Sequence, residues 1–162
     1  MKTNNYLSFD ALTLAGIDLL THLNNTLQSE LIALTERDLQ QITQCAVQKS
    51  QFLADFSENT HQRSVLLENI KLNSDKENVQ LFLNSCPDTH TKNNCKTNWK
   101  ILEEILQATI DANNVNEQVL KRNKKNIDTI LSILQGKQAN NILYDVKGDK
   151  GDYTGQSRLG KA

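Results

Sequence analysis

The stretch NWKILEEILQATIDANNVNEQVLKRNKKNIDTILSILQ, residues 98–135, places a seam at alternating steps of three and four. Trp99, Leu102, Leu106, Thr109, Asn113, Asn116, Leu120, Asn123, Ile127, Ile130 and Leu134 hold that rhythm for five heptads. It is the a/d pattern of a helix lying along other helices. Ile101, Ile105, Ala108, Ala112, Val115 and Val119 form a second stripe, roughly 100° round the helix at the α-helical turn angle. The two together make an apolar face too wide for a two-stranded seam, so this helix asks for partners on two sides. Past Val119 the second stripe turns polar at Arg122 and Asn126, while Ile127, Ile130, Leu131, Ile133 and Leu134 continue the apolar face.

Working outward, the amino-terminal half repeats the theme. Ser8 and Asp10 are good caps for a helix beginning near residue 9. Leu12, Ala15, Leu19, Leu20, Leu23, Leu27, Leu31 and Leu34 recur at helical spacing, and Thr35-Glu36-Arg37-Asp38 interrupts them with new cap residues. Leu39, Ile42, Ala46, Lys49, Leu53 and Phe56 then resume the pattern. No glycine or proline falls between Ile17 and Lys71, so the segment reads as one long helix or two; two, meeting near Thr35, is the expectation. Ser74 or Asp75 can cap a short helix bearing Val79, Leu81, Phe82 and Leu83, which Cys86-Pro87 stops. Asp88 to Thr97 reads as a solvated loop.

The expected fold is therefore all-α: an elongated antiparallel bundle of three main helices, near 9–35, 38–71 and 98–135, plus one short helix. Residues 1–135 form the helical domain. After Gly136, a plausible helix stop, five of the six glycines crowd into the last 27 residues, so 136–162 reads as a flexible tail. Ile142, Leu143, Tyr144 and Val146 make an apolar plug within it, the usual form of a short docking motif.

Composition narrows the function. Net charge is −1, with 18 basic and 19 acidic residues, which gives no general attraction to nucleic acid or acidic membranes. The cluster Lys121-Arg122, Lys124-Lys125 has no interleaved aromatic and suits the C-terminal part of a helix dipole. No run approaches a membrane span, and the amino terminus does not read as a signal peptide. Three cysteines, Cys45, Cys86 and Cys95, make no disulfide framework and suit a reducing cytoplasm. Cys86, His90 and Cys95 lack a knuckle and a fourth ligand for structural zinc, so no metal and no cofactor are expected. No phosphate loop, nucleophile elbow or zincin motif occurs, so no catalytic residue is named and an enzyme is not expected. Thr109, Asn113, Asn116 and Asn123 are polar where a seam wants leucine. Buried and unpaired, each would cost about 1–3 kcal/mol. They either set register as polar layers or lie on a surface that awaits a partner.

These residues together resemble the FlgN family of flagellar export chaperones. Glu30, Leu34, Arg37 and Asp38 match the family's pattern at the first joint, with Lys49, Leu53, Arg63 and Leu67 continuing it. Trp99, Leu102, Leu106 and then Asn113-x-x-Asn116 match the principal helix, with Glu117 where the family has glycine. Leu143-Tyr144-Asp145-Val146-Lys147-Gly148 and the polar finish match the family's ending. The resemblance implies a cytoplasmic chaperone, monomer or weak dimer when free. It would hold the amphipathic C-terminal segment of the hook-associated proteins FlgK and FlgL, prevent their self-association and deliver them to the export gate protein FlhA. Asn116, Leu120, Asn123, Ile127, Ile130, Leu131 and Leu134 are the expected client-binding residues, and Leu143, Tyr144 and Val146 the expected gate-docking residues. The rival readings are a structural coiled-coil homo-oligomer and a nucleic-acid-binding bundle.

Overall fold

The structure, a computed structural model, describes residues 2–134. Four helices follow in order: α1 Lys2–Glu36, α2 Leu39–Glu68, α3 Lys76–Asn84 and α4 Thr89–Leu134. There is no strand among the described residues, and none of their helices is long and apolar enough to cross a membrane. The chain divides into two compact units, Met1–Val119 and Leu120–Ala162.

In the first unit α1 runs up, α2 down and α4 up. Hydrogen bonds fix those directions. On α2, Lys49 reaches Glu30 while Asn59 donates to the Leu12 carbonyl oxygen. On α4, Asn98 donates to Asp10, and Asn116, further along, donates to the Leu27 carbonyl oxygen. The expected break between α1 and α2 is present, made without glycine. Arg37 takes a left-handed φ of 61°, and the Asp38 N–H returns to the Ala33 carbonyl, six residues closing on one as in a Schellman turn. Asp38 then caps α2 by accepting from the Gln41 N–H at 3.0 Å. Lys71, φ 64°, ends α2 in the same way, with the Leu72 N–H on the Leu67 carbonyl.

Three expectations are corrected. First, α1 begins at Lys2, not near residue 9. Tyr6 and Phe9 are core residues: Tyr6 stacks on Phe82 of α3 at 4.4 Å, and Phe9 meets Phe82 edge-on at 5.3 Å. Burying those rings holds the helix through the cap residues, and Asp10 instead accepts from Asn98. Second, the loop expected at Asp88–Thr97 is the first part of α4. Asp88 is its cap, accepting from the Thr91 N–H at 2.8 Å, and Cys95 is buried with its thiol on the Tyr6 carbonyl oxygen. A polar composition hid a helix whose only fully buried side chain in that stretch is a cysteine.

Third, the buried rows differ from the apolar stripes. On α1 the inward row is Tyr6, Phe9, Thr13, Gly16, Leu20, Leu23, Leu27, Glu30 and Leu34, again at three-four spacing. On α2 it is Cys45, Lys49, Phe52, Phe56, Asn59, Arg63 and Leu67, buried or half-buried, while Leu39, Ala46 and Leu53 are exposed. On α4 the row takes Leu102, Thr109 and Asn116 from one stripe and Ile105, Ala112 and Val119 from the other; Leu106, Asn113 and Leu120 lie outside it.

Two apolar clusters result. One joins Tyr6, Phe9, Leu67, Cys95 and α3 through Val79, Phe82 and Leu83. The other joins Leu20, Leu23 and Leu27 to Leu102. Between them lies a polar passage. Gly16 of α1 lets Arg63 of α2 through: a β-carbon at Gly16 would stand 2.6 Å from Arg63 Nη1 and 2.9 Å from Asn59 Oδ1. Arg63 donates to Asn59 at 2.6 Å and to Thr60 at 3.1 Å, and lies over Phe56 and Trp99 at 5.6 and 5.9 Å. It has no carboxylate within ion-pair distance among the described residues, and burial lowers its pKa to about 10. Trp99 Nε1, close by, is buried without an acceptor among the described residues.

Candidate functional site

In the unit Met1–Val119, the seam polar residues of α4 are register-setting rungs on α1. Asn24 donates to the Thr109 hydroxyl at 2.8 Å. Asn116 uses both amide hydrogens, one on the Leu27 carbonyl oxygen and one on Glu30 Oε2, each at 2.8 Å. Glu30 Oε1 in turn receives Lys49 Nζ at 2.7 Å. One buried carboxylate thus ties α1, α2 and α4 at a single level. A slip of α4 along α1 would leave Glu30 Oε2 and the Asn116 amide buried without each other, so the layer favours one register. Asn116, expected in the client surface, is therefore spent inside the bundle and is 4% exposed.

Where α2 and α4 separate along α1, a groove of about 210 Å³ opens between them. Leu20, Leu23 and Leu27 of α1 form its floor, Leu53 and Phe56 of α2 one wall, and Leu106 and Ile110 of α4 the other. Lys49, Asn113 and Asn114 close the end nearest Leu27. This groove is not among the features expected from the sequence. Its signals were present: Ile110 extends the first stripe of α4 on the flank away from the second, and Leu53 follows the half-buried Phe52 on α2. Helical periodicity widens a face but does not say that two helices will splay over it.

In the unit Leu120–Ala162, the described residues are the distal turns of α4. Leu120, Ile127, Ile130, Leu131 and Leu134 are all exposed, Ile127 and Ile130 each at 57%. Asn123 is half-buried. Ile127, Ile130, Leu131 and Leu134 fall within eight residues of one helix, which places them on neighbouring turns. Lys121, Arg122, Lys124 and Lys125 are exposed on the same helix. Leu143, Tyr144 and Val146 lie outside the described residues, as does the expected stop at Gly136 and the rest of the tail.

The three cysteines are free and buried. Cys86 donates its thiol to the Asp88 carbonyl oxygen, and burial pushes the Cys95 thiol up to about 11, with Asp10 and Cys86 adding to the rise. His90 is exposed beside Asn94. No group of three metal-ligating side chains occurs among the described residues.

Several of the residues that carried the family resemblance fall at the joint and in the core, while Leu53, Leu106 and Asn113 line the groove. Arg37 and Asp38 make the α1–α2 turn, Glu30 and Lys49 form the buried pair, and Arg63 and Leu67 are buried. No curated protein and no solved structure matches the chain. A family model does: the one described as FlgN protein, over residues 13–151, which takes in most of α1, all of α2, α3 and α4, and part of the tail. With that span matched, the chain belongs to the FlgN family of flagellar export chaperones.

Proposed function

We propose that this chaperone captures the C-terminal helical segment of the hook-associated proteins FlgK and FlgL in the cytoplasm, blocks their premature self-association and passes them to the export gate protein FlhA. The observation that carries the reading is the exposed aliphatic stripe of distal α4: Leu120, Ile127, Ile130, Leu131 and Leu134. Covering side chains of this size contributes roughly 1.5–3 kcal/mol each when they leave water completely. Helix-in-groove or helix-on-helix contact with an amphipathic partner is the ordinary way to cover such a stripe. Asn123 is kept as a polar contact; Asn116 is left out because α1 and Glu30 already hold it. Masking and delivery need neither a catalytic group nor a cofactor.

Binding of the purified hook-associated proteins by Ile127→Asp and Ile130→Asp variants tests the capture step, with helicity measured alongside. Both should stay helical and lose capture; normal capture by both, with helicity intact, overturns the site. Delivery is assigned to Leu143, Tyr144 and Val146, so Tyr144→Ala should keep client binding while lowering FlhA affinity and export. The free chain should sediment as a monomer or weak dimer whose state changes on adding client. Assembly into a stable oligomer by the chain alone would favour the structural coiled-coil reading instead.

A further inference from the structure

We propose that the groove between α2 and α4 is a second client seat, one that takes an amphipathic helix with its C-terminal end at Lys49, Asn113 and Asn114. The proposal rests on the chaperone reading and adds a place and a polarity to it. Three observations on the first unit support it.

The floor is closed and the walls are open. Leu20, Leu23 and Leu27 are almost fully buried by the bundle itself, whereas Leu53 and Ile110 stand about half exposed on opposite walls. A space of about 210 Å³ between two antiparallel helices, floored by a third, accepts aliphatic knobs and not a large flat ligand. A fourth helix laid there completes a four-helix arrangement around the leucine floor.

The α2 wall has the right profile for close helix approach. On the same flank as Leu53, α2 carries the exposed Ala46, Ser50 and Ser57, small and uncharged. No long charged side chain at those positions guards the rim, so a helix carrying aliphatic residues three and four apart can settle on it.

The two ends differ. The end near Leu20 is apolar, lined by Phe56 and Leu106. The other end is polar: Lys49 is a cation that can only donate, and the carboxamides of Asn113 and Asn114 beside it can turn their N–H groups the same way. Asn113 and Asn114 are exposed and make no side-chain hydrogen bond among the described residues, and Lys49 spends one of its three N–H groups on Glu30. The last four carbonyls of a helix have no partner within it and carry the negative end of its dipole. Lys49, with the two carboxamides beside it, therefore selects the C-terminal end of the occupant, which runs parallel to α4 and antiparallel to α2.

The test uses the full chain and the purified hook-associated proteins, with fluorescence anisotropy as readout. Leu53→Glu and Ile110→Glu change exposed side chains, so the fold should survive, as circular dichroism will check. Each should weaken client binding at least tenfold. Asn113→Asp should weaken it several-fold and Asn113→Lys leave it equal or tighter. Unchanged binding in both wall variants overturns the seat, and tighter binding by Asn113→Asp overturns the polarity. A change in the chain's own oligomeric state with client binding intact assigns the groove to a second copy and also overturns the proposal. If the wild-type chain ignores the hook-associated proteins, the functional reading above fails. The groove is then judged with a synthetic amphipathic helix bearing leucines three and four apart. That peptide should shift the methyl resonances of Leu53 and Ile110, and no shift overturns the seat.

Discussion

Gly16→Ala should destabilise the protein, although it replaces the worse helix former with the best. Helix propensity alone favours alanine by about 1 kcal/mol in a helix interior. Against that, the new β-carbon would meet Arg63 Nη1 at 2.6 Å, Asn59 Oδ1 at 2.9 Å and Leu102 Cδ1 at 3.2 Å. The end of an arginine usually moves aside cheaply, but this one is held. Arg63 is buried, bonded to Asn59 and Thr60, and Asn59 is itself anchored on the Leu12 carbonyl oxygen. Losing a hydrogen bond to a charged group costs about 1.5–3 kcal/mol, and overpacking adds about 1–3 kcal/mol if the helices shift instead. The net expectation is a loss of about 0.5–2 kcal/mol, at roughly 3 °C in melting temperature per kcal/mol for a domain of this size. Thermal and urea unfolding followed by circular dichroism read it directly. The discriminating measurement is a double-mutant cycle with Arg63→Met. In that background Gly16→Ala should become neutral or stabilising, giving a coupling of about 1–3 kcal/mol. If Gly16→Ala raises the melting temperature of the otherwise wild-type chain, the passage is not tight and the reasoning fails.

Other outcomes follow from single features. Arg37→Gly and Lys71→Gly should each stabilise by about 0.5–1 kcal/mol, because both side chains sit at positive φ, where a β-carbon costs more than glycine adds to unfolded-state entropy; a lower urea midpoint in either would contradict this. Asn116→Ala, which removes the buried bonds to Glu30 Oε2 and to the Leu27 carbonyl oxygen, should cost about 1–3 kcal/mol in urea unfolding, while Asn113→Ala three residues away should stay within about 0.5 kcal/mol. Asp75 and Asp88 cap α3 and α4, and both carboxyls lie below the usual carboxylate range. The Asn78 backbone N–H is the main cause for Asp75 and the Thr91 hydroxyl for Asp88. Folded-state values below the unfolded ones mean that the caps stabilise fully above about pH 4 and lose that contribution as pH falls through the lower values. Acid titration should therefore shift the amide resonances of Asn78 and Thr91 with midpoints below those of a peptide aspartate, and Asp88→Asn should remove the Thr91 transition.

How much of this was legible in the chain differs element by element. Local chemistry wrote the helices: the three-four spacing of residues 99–134, the joint after Thr35 and the caps at Asp38 and Asp75 need only near neighbours in sequence. The match over residues 13–151 agrees with the family those local signals resembled. What local signals do not carry is which face turns inward. A stripe of leucines marks a helix, yet Leu53 and Leu106 lie on groove walls while Thr13, Gly16, Glu30, Asn59 and Arg63 occupy the seam. Hydrophobicity cannot select those residues, because each is tolerated inside only by a partner on another turn or another helix. Glu30 needs Lys49 and Asn116, Arg63 needs Asn59 and the missing side chain of Gly16, and Thr109 needs Asn24. Asn116 shows the same limit from the other side. Its seam position was plain from the spacing, but only the carbonyl of Leu27 and the carboxylate of Glu30, more than eighty residues away, turn it from a client contact into part of the core.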